Sequence, residues 1–139
     1  MIHTIDVQAR GLRFRVDVAG PERGEPVLML HGFPQSRHTW RHQLETLGAE
    51  GYRVIAPDQR GYSPGARPEG VAAYATDELI ADALAIARAM GTERAHVVGH
   101  DWGGQIAWLL AAHRPGCVAS LTVLSRPHPA AFAHAMRAD

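Results

Sequence analysis

Three short apolar runs constrain the architecture most. Val27-Leu28-Met29-Leu30, Arg53-Val54-Ile55-Ala56 and Ala95-His96-Val97-Val98 are each about a strand long, and segments of helical periodicity separate them. A run without polar alternation suits a strand buried on both faces, as inner strands of a parallel sheet are. The segments between supply the crossovers. Ser36 is placed to cap a helix with Trp40, Leu44 and Leu47 on one face and Gly48 and Gly51 near its end. A second helix starts near Thr76, with Asp77 and Glu78 in the first turn, where the helix dipole favours them. Its expected inner face is Leu79, Ile80, Ala83, Leu84, Ala87 and Met90, and Gly91 takes the position beyond its end. Gly104 to His113 reads as a third helix stopped by Pro115, and Val118 to Leu124 as a further strand.

Ahead of these units the pattern has period two. Leu12, Phe14, Val16 and Val18 alternate with Arg13, Arg15 and Asp17, and Ala9-Arg10-Gly11 reads as the turn joining this strand to Ile2–Gln8. The order is β-β-β-α-β-α-β-α-β, which predicts an α/β fold: a mostly parallel sheet with helices on both faces. Residues 1–139 are read as one domain, and the tail from Ser125 to Asp139 resolves into no further strand.

Composition narrows the function classes. Fourteen basic and fourteen acidic residues give a formal net charge of zero, without the basic excess that nucleic acid or an anionic membrane surface favours. The one cysteine, Cys117, excludes an internal disulfide and fits a reducing compartment. With no signal-peptide pattern at Met1–Asp6 and no apolar run long enough to span a bilayer, the expected location is cytoplasmic. Nine histidines are scattered without metal-ligand spacing, so neither a metal nor a cofactor is expected.

Gly99-His100-Asp101-Trp102-Gly103-Gly104 lies between the strand ending at Val98 and the next helix. That is the setting of a nucleophile elbow, G-x-Nu-x-G on a sharp strand-to-helix turn. The central residue takes a strained backbone conformation, and its neighbours two away must be small so that strand and helix can approach. Glycines at 99 and 103 meet that demand. An Asp before a helix is often only a cap, but these glycines favour Asp101 as a nucleophile. A carboxylate there attacks an sp³ carbon and leaves an alkyl ester, which water must cleave. His31-Gly32-Phe33-Pro34 follows the third strand, where this architecture draws one oxyanion-hole N–H; the residue after the nucleophile supplies the other. The expected amides are those of Phe33 and Trp102.

Together with Asp58-Gln59-Arg60-Gly61-Tyr62-Ser63, these motifs resemble the α/β-hydrolase superfamily over essentially the whole chain. Their order and spacing are similar to its epoxide-hydrolase and haloalkane-dehalogenase branch. The resemblance implies that Asp58 and Arg60 brace their loop, and that His31 and Trp102 line the site of a small epoxide or haloalkane. Tryptophan beside the nucleophile occurs in both branches. Dehalogenases often carry an asparagine where this chain has Phe33, whose ring donates no hydrogen bond to halide, so epoxide opening is favoured.

The resemblance also implies a histidine base, its orienting carboxylate and a lid with proton-donating tyrosines, all contributed after the sixth strand of the core. Residues 1–139 are thus expected to be the amino-terminal half of the core, without the lid or the last strands. His100, beside the nucleophile, and His128 are read as structural or loop residues rather than as the base. The expectation is a nucleophile and an oxyanion hole without a water-activating dyad. The strand at 118–124 should be an exposed edge through which the chain self-associates. The rival readings are a haloalkane or haloacid dehalogenase and a non-catalytic ligand-binding or partner-associating protein.

Overall fold

The computed structural model describes residues 1–138. Ten regular elements follow in order: β1 (His3–Ala9), β2 (Leu12–Ala19), β3 (Pro26–Leu30), α1 (Arg41–Ala49), β4 (Arg53–Pro57), α2 (Thr76–Ala89), β5 (Ala95–His100), α3 (Trp102–His113), β6 (Val118–Leu124) and α4 (Pro129–Met136). The six strands form one sheet in the order β1-β2-β4-β3-β5-β6. The β1–β2 and β2–β4 pairs are antiparallel, and the other three are parallel. This is the expected α/β class, with the hairpin at one side of a parallel sheet.

Alternation along the inner strands explains their unbroken apolar sequence. Val27 and Met29 of β3 pack with Val54, Ala56, Trp40 and Leu44 on the α1 face. Leu28 and Leu30 point the other way and join Ile55, Val97, Ile80, Ala83, Ile106 and Leu110 beneath α2 and α3. Both faces are covered, so both sets must be apolar.

Several boundaries differ from the sequence expectation. The helix capped by Ser36 is split into a tight 3₁₀ turn at Arg37–Trp40 and then α1. On α2, Ile80, Ala83 and Ala87 are buried as expected, but Leu79, Leu84 and Met90 only partly; Ile86 and Asp82 are buried with them. Helix α3 begins at Trp102, two residues before Gly104, because the elbow turns directly into it. The tail forms α4, with Pro129 in its first turn and the His128 ring accepting the Ala130 N–H at 3.1 Å. No helix among the described residues is long and apolar enough to cross a membrane.

The connection after β3 leads to β4 on one side, and the connection after β4 crosses back to β5 on the other side of β3. The crevice at the carboxyl ends of β3 and β5 is therefore the switch point, where open α/β sheets bind ligands.

Candidate active site

Asp101 follows β5 with φ 54 and ψ −120, a left-handed conformation that a residue with a Cβ adopts only under constraint. The constraint is the elbow. A Cβ on Gly99 would lie 2.3 Å from the Gly103 carbonyl oxygen, and one on Gly103 would lie 2.0 Å from that of Leu30. Both positions face backbone that cannot swing away, so strand and helix meet at this distance only with glycine. The Asp101 N–H is tied to the Leu124 carbonyl at 3.2 Å, which holds the turn against the end of β6.

Although Asp101 sits at the N-cap of α3, its side chain makes no capping hydrogen bond. It turns toward the loop after β3, where Oδ2 accepts the Phe33 N–H at 3.0 Å. Gly32 permits this contact, because a Cβ there would stand 2.5 Å from the Asp101 Cβ. The Phe33 amide, then the Trp102 amide, holds the carboxyl below the usual carboxylate range; His100 and Arg126 assist, while partial burial opposes. The group is an anion at neutral pH.

The supporting loop is heavily braced. Asp58 accepts the Arg37 N–H at 2.7 Å and pairs with the Arg37 guanidinium, which also reaches Asp17. Arg60 and Asp82 form a buried two-pronged pair at 2.7 and 2.8 Å, and Arg60 donates a third bond to the Ala73 carbonyl at 2.8 Å. Ser63 is wholly buried, donating to the Asp58 carbonyl at 2.7 Å and accepting the Arg15 N–H at 2.9 Å.

The family profile described as "alpha/beta hydrolase fold" matches residues 25–138. The chain belongs to the α/β-hydrolase fold family. Among relatives, it is 47% identical over 125 residues to "Epoxide hydrolase A" of Mycobacterium tuberculosis, covering 87% of this chain and 38% of that protein. It is 43% identical over 123 residues to "AB hydrolase superfamily protein YfhM" of Bacillus subtilis, covering 88% and 43%. The solved "Epoxide hydrolase from an endophytic Streptomyces" superposes with a TM-score of 0.86 at 42% identity, over 91% of this chain and 38% of that one. The chain thus spans roughly two fifths of the length of such relatives.

In this α/β-hydrolase chain a cleft of about 220 Å³ opens beside the elbow, lined mainly by His31, Phe33, Tyr62, Tyr74, Leu79 and Trp102. His31, Phe33 and Trp102 are thus gathered where the sequence reading put the site. The His31 ring, however, is committed. Nε2 accepts the Gln59 N–H at 3.1 Å, Nδ1 lies 3.0 Å from the Gly32 carbonyl, and the ring meets Tyr62 edge-on at 4.6 Å. Burial lowers its pKa, against its bond to Gly32 and the Asp58 charge, so it faces the cleft as a neutral ring. Sequence reading put Leu79 on the buried face of α2 and did not place Tyr74, Leu79 or Gln35 at the site, nor Arg126, whose guanidinium lies 5.3 Å from the Trp102 ring centre and 5.4 Å from that of Phe132. Only folding brings these residues to the elbow.

Among the described residues the one histidine ring in side-chain contact with a carboxylate is His96, whose Nε2 lies 2.7 Å from Glu25 Oε1. His96 lies five positions before Asp101 at the opposite end of β5, about 16 Å away at strand rise. It is not placed to activate water at Asp101. No cluster of three or more metal-ligating side chains occurs among the described residues.

Proposed function

We propose that this chain carries the nucleophile half of an epoxide-hydrolase-type site acting on small-molecule epoxides. The observation that supports this most is the Phe33 N–H on Asp101 Oδ2, with the side chain free of any capping bond. A cap would use the carboxylate within its own helix. Here one oxygen rests in the expected oxyanion hole, which leaves Oδ1 to attack.

Attack of Oδ1 on an epoxide carbon forms the ester C–O bond and breaks the ring C–O bond; the ring oxygen leaves as an alkoxide and takes up a proton. Tyr62 is a donor on the cleft wall, kept protonated by burial and by the Asp101 charge. Water must then add to the ester carbonyl, whose developing oxyanion the Phe33 and Trp102 amides receive, and release the diol. Among the described residues no histidine is placed for that step, so with these residues alone the ester should outlive its formation. The apolar Phe33 side chain disfavours the dehalogenase alternative. The exposed β6 edge is proposed as a self-association surface.

Incubation with excess styrene oxide, followed by intact-mass analysis and peptide mapping, tests the reading. A single adduct on Asp101, lost in Asp101→Asn, is expected. Labelling on Cys117 or on histidines, unchanged in Asp101→Asn, would reduce Asp101 to a structural turn residue. Steady diol production would show a base that acts on the ester.

A further inference from the structure

Gln35 lies outside the motif residues given a role so far, yet it joins the two halves of the site. Its Oε1 accepts the Gly32 N–H at 3.3 Å and lies 3.0 Å from His100 Nδ1. Gly32 immediately precedes Phe33, the amide on the nucleophile, and His100 immediately precedes Asp101, the nucleophile itself. We propose that Gln35 is a positioning residue that fixes the Phe33 N–H against the Asp101 carboxylate by tying the loop after β3 to the elbow through His100.

The orientation of the carboxamide follows from chemistry. A backbone N–H only donates, so the atom it meets is the oxygen, and His100 Nδ1 must then carry a proton to share it. The turn is closed from the other side by the Gln35 N–H, which donates to the Gly32 carbonyl at 3.0 Å. Residues 32–35 are thus a small ring whose one side-chain link to the elbow besides the Phe33–Asp101 bond, among the described residues, is the Gln35–His100 contact. The remaining braces of this segment, His31 to Gln59 and Arg37 to Asp58, run to the loop after β4 instead. Strand pairing at Leu30–Gly99 and the close approach of Gly32 to Asp101 set the two segments side by side; among the described residues the Gln35 bridge is the one side-chain tether, besides the Phe33–Asp101 bond itself, that holds the amide in register with the carboxylate. A displacement of a fraction of an ångström matters there, because oxyanion donors act only over hydrogen-bond distances.

The proposal rests on the Asp101 reading for its kinetic consequence but not for its structural one, and two measurements separate them. The first is NMR of the full chain. In Gln35→Met, which keeps length and loses the acceptor, the Gly32 and Phe33 amide protons should both move upfield, and the Asp101 carboxyl carbon should titrate at higher pH. His100, Arg126 and Tyr62, whose charges act on or respond to that carboxylate, are followed in the same titration. His100→Phe should move the same amides less, because the Gly32 bond survives. The double variant should match Gln35→Met, as one tether is cut only once. A Gln35→Met protein in which only the Gly32 amide moves would overturn the proposal. The second measurement is the rate of Asp101 labelling by styrene oxide, expected to fall roughly tenfold in Gln35→Met at unchanged saturation. An unlabelled wild type would sink the nucleophile reading while the amide shifts still judge Gln35. Labelling at the wild-type rate in a folded Gln35→Met would sink the tether.

Discussion

Asp101 combines three features that no single neighbour explains: a positive φ, a carboxylate turned away from its own helix and a partner amide on another strand's loop. Its ionisation carries a prediction. Because the Phe33 and Trp102 amides hold its folded pKa below the ordinary 3.8, labelling by an epoxide should stay at its plateau down to that pH and fall only below it. The linked stability has a definite sign. A carboxyl with a depressed folded pKa contributes stability that is present above the unfolded pKa and is lost as pH falls through the folded one. The stability of the wild type relative to Asp101→Asn should therefore shift in favour of the Asn variant as the pH falls below about 4. A difference constant from pH 7 to pH 3, as measured by urea unfolding, would contradict this. The glycines around the residue are equally testable. Gly103→Ala pushes a methyl into the Leu30 carbonyl and should cost about 3 kcal/mol or more. Gly116→Ala, with nothing within 4 Å of the added carbon, should leave the urea midpoint unchanged.

The loop between β4 and α2 shows how elements are locked to one another. Arg60 reaches from the loop into Asp82 of α2, and Arg10 from the turn between β1 and β2 reaches the same carboxylate at 3.0 Å. Hairpin, loop and helix thus converge on one buried acid, and the Ala73 carbonyl on Arg60 steadies the turn that brings Tyr74 into the cleft. Removing the acid leaves Arg60 buried without its partner, which typically costs 3 to 5 kcal/mol for a broken buried pair. Asp82→Ala should accordingly lower the urea midpoint strongly, and Arg10→Ala, at the half-exposed end of the network, only slightly. Equal losses would mean that the hairpin contact, rather than the loop contact, holds the network. Part of this was readable beforehand. Asp58 and Arg60 were expected to brace the loop, but their partners Arg37 and Asp82 lie 21 and 22 residues away, where no local pattern points to them. Helix α4 lies in the tail that resolves into no further strand by sequence, although Pro129 and the alanines after it suit the start of a helix.

Across the whole sheet of described residues, β6 is paired with β5 and its residues are partly or fully exposed. Leu124 is 43% exposed, and β6 itself carries no charged side chain to discourage pairing. Strand-edge association is the expected consequence. Sedimentation should show concentration-dependent self-association, and Thr122→Lys, on an exposed edge position, should suppress it. A monomer at every concentration would remove β6 as an interface. The α/β order, the place of the elbow and the identity of its central acid are legible in the residue pattern alone. Those depend on local periods, on runs that must be apolar on two faces, and on glycines that no other residue can replace. Packing alone sets the Asp101 carboxylate on the Phe33 amide instead of in a cap of α3, turns both His31 nitrogens to backbone atoms, and lets Gln35 bridge loop and elbow. The Asp101 and Gln35 contacts join the ends of β3 and β5 across 68 and 65 residues of chain, and the His31–Gln59 bond joins the loops after β3 and β4 across 28; such meetings are set by strand order and packing distance, which leave no mark on the spacing of residues along a sequence.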